Sequence, residues 1–168
     1  MPLSSKTPAA ALLAGTQGCI RGINKLFLDE DDDAESEITM AIASFGPLNR
    51  RARAWCHTLI GIHTIVTRQL RKGVQAFERA RNDFLALQDN VGFCTVLAGQ
   101  SALACACEQY DDAFSISLDV VRATRKYALH LIECIAFPTL ALSCLLSGNL
   151  DQFQGGLPKK AMLIPNLL

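Results

Sequence analysis

The sequence predicts an all-α fold, a stack of antiparallel helical hairpins repeating every 39–40 residues, and three observations carry that reading. First, four short segments align: Asp31-Asp32-Asp33-Ala34, Leu70-Arg71-Lys72-Gly73, Tyr110-Asp111-Asp112-Ala113 and Leu150-Asp151-Gln152-Phe153, whose first residues are 39, 40 and 40 apart. A fixed internal period of this length is the mark of a stacked-repeat architecture. Second, small residues recur in two columns of the same register. Gly22, Gly61, Ser101 and Ala141 each lie nine positions before a segment start, and Ala34, Gly73 and Ala113 lie within the segments. Small residues at matching places in two helices let their backbones approach closely. Third, apolar residues recur at helical spacing, as in Leu59, Ile62, Val66 and Leu70, and no stretch alternates in the strand manner.

The elements follow in order. A first helix is expected near 11–28, carrying Gly22, and its partner near 32–45 opens on acidic residues, which suit a helix start. Gly46-Pro47 closes this hairpin. The second hairpin has helices near 50–68 and 71–88 and ends at Asp89-Asn90. The third has helices near 91–108 and 111–127. The helix near 130–147 opens the fourth, and Gly148-Asn149 turns the chain after it. Leu129–Gly148 is the most apolar window, but His130, Glu133 and Pro138 would be costly in a bilayer, so it is expected as a buried helix. The fourth unit fails beyond Phe153, because Gly155-Gly156, Pro158 and Pro165 do not fit a regular helix. The expectation is one domain over 1–168, with units at about 11–46, 50–89, 91–128 and 130–168, the last incomplete. The apolar tail residues Met162, Leu163, Ile164, Leu167 and Leu168 need cover, either at the open end of the stack or in a homodimer through the terminal repeat, which is preferred.

At Ile60-Gly61, Tyr110-Asp111-Asp112-Ala113 and Ser147-Gly148-Asn149-Leu150 the chain resembles the tetratricopeptide repeat family, over roughly residues 15–153. The period exceeds the family's usual ~34 residues. Ser117 stands where an aromatic residue is expected in the third unit, and Phe153 replaces a small residue in the fourth. The resemblance implies a right-handed solenoid of about three and a half repeats that binds a protein or peptide along the face made by its first helices. On that basis the groove is lined by Trp55, Thr58, Ile62 and Ile65 in the second unit and by Thr95, Ala98, Ala102 and Cys105 in the third, with Thr16, Cys19, Ile23 and Leu26 in the first. These residues are apolar and small, suited to an amphipathic helix or an extended apolar peptide. The lysines and asparagines with which some relatives grip a terminal carboxylate are absent from these places. The alternative is a regulatory or sensor domain whose groove holds a small apolar ligand, as a fragment of a larger bacterial regulator.

Half the residues are hydrophobic and 19% are charged, which argues against disorder. Sixteen basic residues balance sixteen acidic ones, giving no reason to expect nucleic acid as a partner. The charges are segregated, however. A basic strip, Arg50, Arg51, Arg53, Arg68, Arg71 and Lys72, follows an acidic run at residues 29–37. Pairing between neighbouring hairpins is the preferred explanation, and a site for an acidic partner or a phosphate is the other. The acidic run lacks the glycine and spacing of a calcium loop.

The seven cysteines sit mostly in apolar runs and are odd in number, which favours reduced thiols and a cytoplasmic setting over a disulfide framework. Cys105 and Cys107 point to nearly opposite faces of one helix. Cys56, His57 and His63 form a better cluster, but a metal site needs three or four convergent ligands. No phosphate-cradling glycine loop or nucleophile with an orienting acid stands out. Neither catalysis, a cofactor, a metal nor a membrane partner is expected.

Overall fold

The structure, a computed structural model, describes residues 7–27, 31–46 and 49–148. These form seven helices: α1 (Pro8–Phe27), α2 (Asp31–Phe45), α3 (Arg50–Val66), α4 (Leu70–Ala86), α5 (Asn90–Ala106), α6 (Tyr110–Lys126) and α7 (His130–Ser147). The described residues contain no strand. α1 pairs with α2, α3 with α4 and α5 with α6, and each first helix also packs on the hairpin before it. The expected start of the fourth repeat at 150–153, and the tail, lie outside the described residues.

α1 begins three residues earlier than expected because Pro8 takes its first turn, where a missing N–H costs nothing. From α3 onward, helices start at residues 50, 70, 90, 110 and 130, so the unit of construction is a half-repeat of 20. Asn49 caps α3 by accepting from the Ala52 N–H, and Asp89 caps α5 by accepting from the Gly92 N–H at 3.1 Å.

The stops are uniform. After α4, α5 and α6 the amides of Asp89, Gln109 and Leu129 donate five residues back, to the carbonyls of Phe84, Ala104 and Thr124, at 2.8–3.0 Å. Gln88, Glu108 and Ala128 stand just before them in the left-handed region, at φ 53°, 61° and 55°. This double-bonded stop normally carries glycine at the left-handed position, as α7 does with Gly148. Ala128 is exposed, so Ala128→Gly removes left-handed strain of about 1–2 kcal/mol at an entropic cost of about 0.5–1 kcal/mol. We expect a net gain of roughly 0.5–1 kcal/mol, read as a higher urea midpoint with unchanged slope.

The core runs along the stack as three successive clusters. Ile38, Ala41, Cys56, Ile60 and Ala76 join α2, α3 and α4. Ala54, Phe77, Ala80, Phe84, Val96 and Leu103 join α3, α4 and α5. Phe114, Val120, Val121, Ile132, Ala136 and Leu140 belong to the cluster that joins α5, α6 and α7. Each unit thus stabilises only its neighbours, the nearest-neighbour pattern of repeat proteins. The third unit is packed with smaller groups. Ser117 and Thr124 stand forty residues after Phe77 and Phe84, and the buried Ser117 hydroxyl has no hydrogen-bond partner among the described residues.

One expectation is corrected here. α7 is not a buried helix, because Leu131, Ile135, Leu142, Leu145 and Leu146 are all exposed. Ile132, Ala136, Leu140, Ser143 and Cys144 face α5 and α6 and are buried, and nothing described covers the other side. α7 is the one described helix long and apolar enough to cross a membrane, by length and composition.

Candidate partner-binding surface

The first helices α3, α5 and α7 lie side by side and present matching columns forty residues apart. On α3, Trp55, Ile62 and Val66 share one face at helical spacing. Ile62 and Val66 are exposed and Trp55 is half-buried. The same positions on α5 are Thr95, Ala102 and Ala106, all half-buried. On α7 they are Ile135, Leu142 and Leu146, all exposed. Large apolar side chains therefore flank a strip of small ones, making a trough with α5 as its floor. At one end this trough deepens into a cleft of about 470 Å³ lined by Ile65, Val66, Arg68, Cys105, Ala106 and Leu142.

Of the eight residues expected to line the groove in the second and third units, six reach this side at least in part. Trp55, Ile62, Thr95 and Ala102 stand in the trough columns, and Ile65 and Cys105 in the cleft at its end. Thr58 and Ala98 do not. They are 1% and 7% exposed, one column round the helix, where each first helix meets its own partner. The Thr58 hydroxyl is satisfied by the Ala54 carbonyl at 2.9 Å. Trp55 is partly withdrawn too, with its ring edge-on to Phe84 at 5.1 Å between centroids.

A larger concavity lies on the second-helix side. A cleft of about 750 Å³ opens between α4 and α6 over α5. Phe93, Leu97, Leu103 and Ile116 give it an apolar floor, and Arg81, Asp119, Arg122 and Lys126 rim it. Residues so far apart in sequence carry no common motif that could have pointed to it.

Half of the basic strip is engaged in ion pairs within the molecule. Arg50 pairs with Asp83, Arg51 with Asp89 at 3.0 Å, and Lys72 reaches back from α4 to Glu35 on α2. Between α1 and α2, Arg21 pairs with Glu37 at 3.0 Å and Lys25 with Asp33 at 3.3 Å. Such partly exposed pairs contribute up to about 1 kcal/mol each, so they set register rather than stability. Arg71 is exposed, and Arg68 lines the cleft at the end of the trough. Arg53 lies with His57 and Arg79 in a shallow cleft beside α2. Burial there lowers the His57 pKa, and the two guanidinium groups lower it further.

All seven cysteines are free thiols. Among the described residues no three His, Cys, Asp or Glu side chains converge as metal ligands would, Cys56, His57 and His63 included. The sulfurs of Cys19 and Cys56 do meet, at 3.8 Å between α1 and α3. The hydrogen bond from Cys56 lowers the Cys19 pKa to about 7. The same bond, with burial and the adjacent negative sulfur, pushes the Cys56 pKa far up.

Stacked hairpins with small residues at the helix crossings and a surface built by the first helices define a TPR-like helical-repeat fold. The chain superposes on a TPR-like protein from Chlorobium tepidum TLS, known from a crystal structure, with a TM-score of 0.62. The two are 13% identical, and the match covers 80% of this chain and 97% of that one. No protein-family model and no curated protein matches the sequence.

Proposed function

We propose that the chain is a non-catalytic protein-interaction module that holds an amphipathic helix or an extended apolar peptide in the trough over α5. The observation that carries this reading is the alternation of side-chain size across the first helices. Ile62 and Val66 on one side and Leu142 and Leu146 on the other stand above Ala102 and Ala106. An apolar ridge on a partner would be received by that profile, as in other helix-in-groove contacts. The TPR-like fold commonly serves as an interaction scaffold, which supports the same class of function. Balanced charge argues against nucleic acid as the partner. Seven free thiols fit a reducing, cytoplasmic setting.

The test uses a fluorescein-labelled amphipathic leucine–lysine helix of about five turns and anisotropy titration. Saturable binding should weaken at least tenfold in Ala102→Glu, which puts a charge on the floor, and stay unchanged in Arg122→Glu on the opposite side. Equal binding by both variants, or none by the wild type, would remove the trough as the site.

A second reading has its own support. The cleft between α4 and α6 has the volume of a small-molecule site, which fits a sensor domain holding an apolar ligand. In that case an environment-sensitive apolar dye should bind, and Leu97→Arg should abolish its signal while Ala102→Glu leaves it intact.

A further inference from the structure

Cys19 is brought to Cys56 by the way α1 seats on α2. Gly15, Gly18 and Gly22 form the contact face of α1, where an added Cβ would meet Phe45, Ala41 and Ile38 of α2. Cys19 follows Gly18, so it stands just over a quarter turn round the helix from that face. On α3, Cys56 and Ile60 lie one turn apart on the side that packs with Ile38 and Ala41. The sulfurs of Cys19 and Cys56 meet where these faces converge, 3.8 Å apart. α1 otherwise touches α3 only lightly, so the two thiols stand at the joint between the first hairpin and the next.

The two thiols differ in access. Cys56 is fully buried and Cys19 is half-buried. A reagent as small as hydrogen peroxide therefore reaches the Cys19 sulfur first and finds the Cys56 thiol directly behind it. Cys56 donates its hydrogen to the Cys19 sulfur, which favours the thiolate there, the form that attacks. The sulfurs of a disulfide lie about 2.05 Å apart, so closing the 3.8 Å gap asks each sulfur to move by about 1 Å. Helix shifts of about 1–2 Å are ordinary at packed interfaces.

We propose that Cys19 and Cys56 are an oxidation site for hydrogen peroxide, and that oxidation ties α1 to α3 through a reversible disulfide. The Cys19 thiolate attacks one peroxide oxygen and the O–O bond breaks. The sulfur keeps a hydroxyl as sulfenic acid, and the departing hydroxide takes a proton from solvent to leave as water. The Cys56 sulfur then displaces the hydroxyl: the S–S bond forms, the S–O bond breaks, and the hydroxyl leaves as water with the Cys56 hydrogen. Two thiols give up two electrons, and the peroxide becomes two waters. A thiol reductant reopens the bond by exchange. The cross-link joins residues 37 apart, which restrains the unfolded chain and fixes the first hairpin on the second. The chemistry does not depend on what the trough holds.

The test treats the reduced full chain with equimolar hydrogen peroxide at pH 7, blocks the remaining thiols with N-ethylmaleimide and maps tryptic peptides without reduction. Peptides 7–21 and 54–68, which carry Cys19 and Cys56, should be found linked, in a chain that still runs as a monomer on a non-reducing gel. The urea midpoint should rise on oxidation and return with dithiothreitol. In Cys56→Ser, dimedone should capture Cys19 as the sulfenic acid, no linked pair should form, and peroxide should not raise the urea midpoint. In Cys19→Ser, Cys56 should stay reduced. The wild-type peptide map stands on its own if either variant fails to fold. Cys19 carried to sulfinic acid while Cys56 still reacts with maleimide after unfolding would overturn the proposal. So would a Cys19 that stays reduced at peroxide levels that oxidise the exposed Cys134, or linked peptides that join other cysteines instead.

Discussion

Replacing Phe77 by alanine should reduce folding free energy by about 3–5 kcal/mol, the range for deleting a fully buried phenylalanine. Phe77 has no exposed surface. Its ring fills a notch between two backbones. A Cβ placed on Gly61 of α3 would lie 2.7 Å from the ring, and one on Gly99 of α5 would lie 2.5 Å from it. The side chain therefore holds its own hairpin together and also docks the next one. Such a rigid site collapses poorly when emptied, which places the expected loss toward the upper end. Urea denaturation followed by circular dichroism gives the value. A loss below about 1 kcal/mol would mean that the notch closes easily and that the two glycines are not packing positions. The reciprocal change, Gly61→Leu, should cost about 1–3 kcal/mol by overpacking the same notch, and an unchanged melting temperature would contradict the crossing.

Why the repeat was legible and the surface less so follows from these contacts. Gly61 and Gly73 are conspicuous because close helix approach leaves few residue types that fit. Gly61 abuts Phe77, and Gly73 abuts Thr64 and Leu103. The rotation of α3 about its axis left a weaker trace. Leu59-Ile60 and Ile65-Val66 put apolar residues side by side, since a first helix is covered on most sides, so spacing alone could not separate Thr58 from the outward face. The stops at Gln88, Glu108 and Ala128 show no glycine and gave no local sign. For α7, an apolar run tells that a helix wants cover but not whether this chain provides it. The pairing of Cys19 with Cys56 had no signal at all, because the two residues are 37 apart and so occupy different columns of the repeat.

That thiol pair gives the second large effect. Cys56 is buried and donates its hydrogen to the half-buried Cys19 sulfur, so once the pair loses its first proton the remaining one lies between two sulfurs and the negative charge rests on Cys19. With its pKa at about 7 instead of 9, Cys19 is about half thiolate at pH 7, against about a hundredth for an ordinary thiol of pKa 9. The lower intrinsic nucleophilicity of a stabilised thiolate offsets part of this gain. Alkylation by iodoacetamide should still run roughly five- to tenfold faster than for such a thiol at pH 7, with a midpoint near 7. Mass spectrometry of quenched samples assigns the rate to Cys19. Cys56→Ala removes the donor and should return the midpoint toward 9. Stability follows from the same protons. Between pH 7 and 9 the unfolded chain holds more protons on these two thiols than the folded one, so the pair's contribution to stability should rise with pH. Above 9 the unfolded thiols lose both protons while Cys56 keeps its own, so this contribution should fall again. Burial raises the pKa of Cys94, Cys105 and Cys144, and these thiols lower stability toward pH 9 in both proteins, so the expected result is a urea midpoint that falls over pH 7 to 9 in Cys56→Ala and falls less, or rises, in the wild type. A Cys19 alkylation midpoint near 9 in the wild type would show that the two sulfurs do not share a proton.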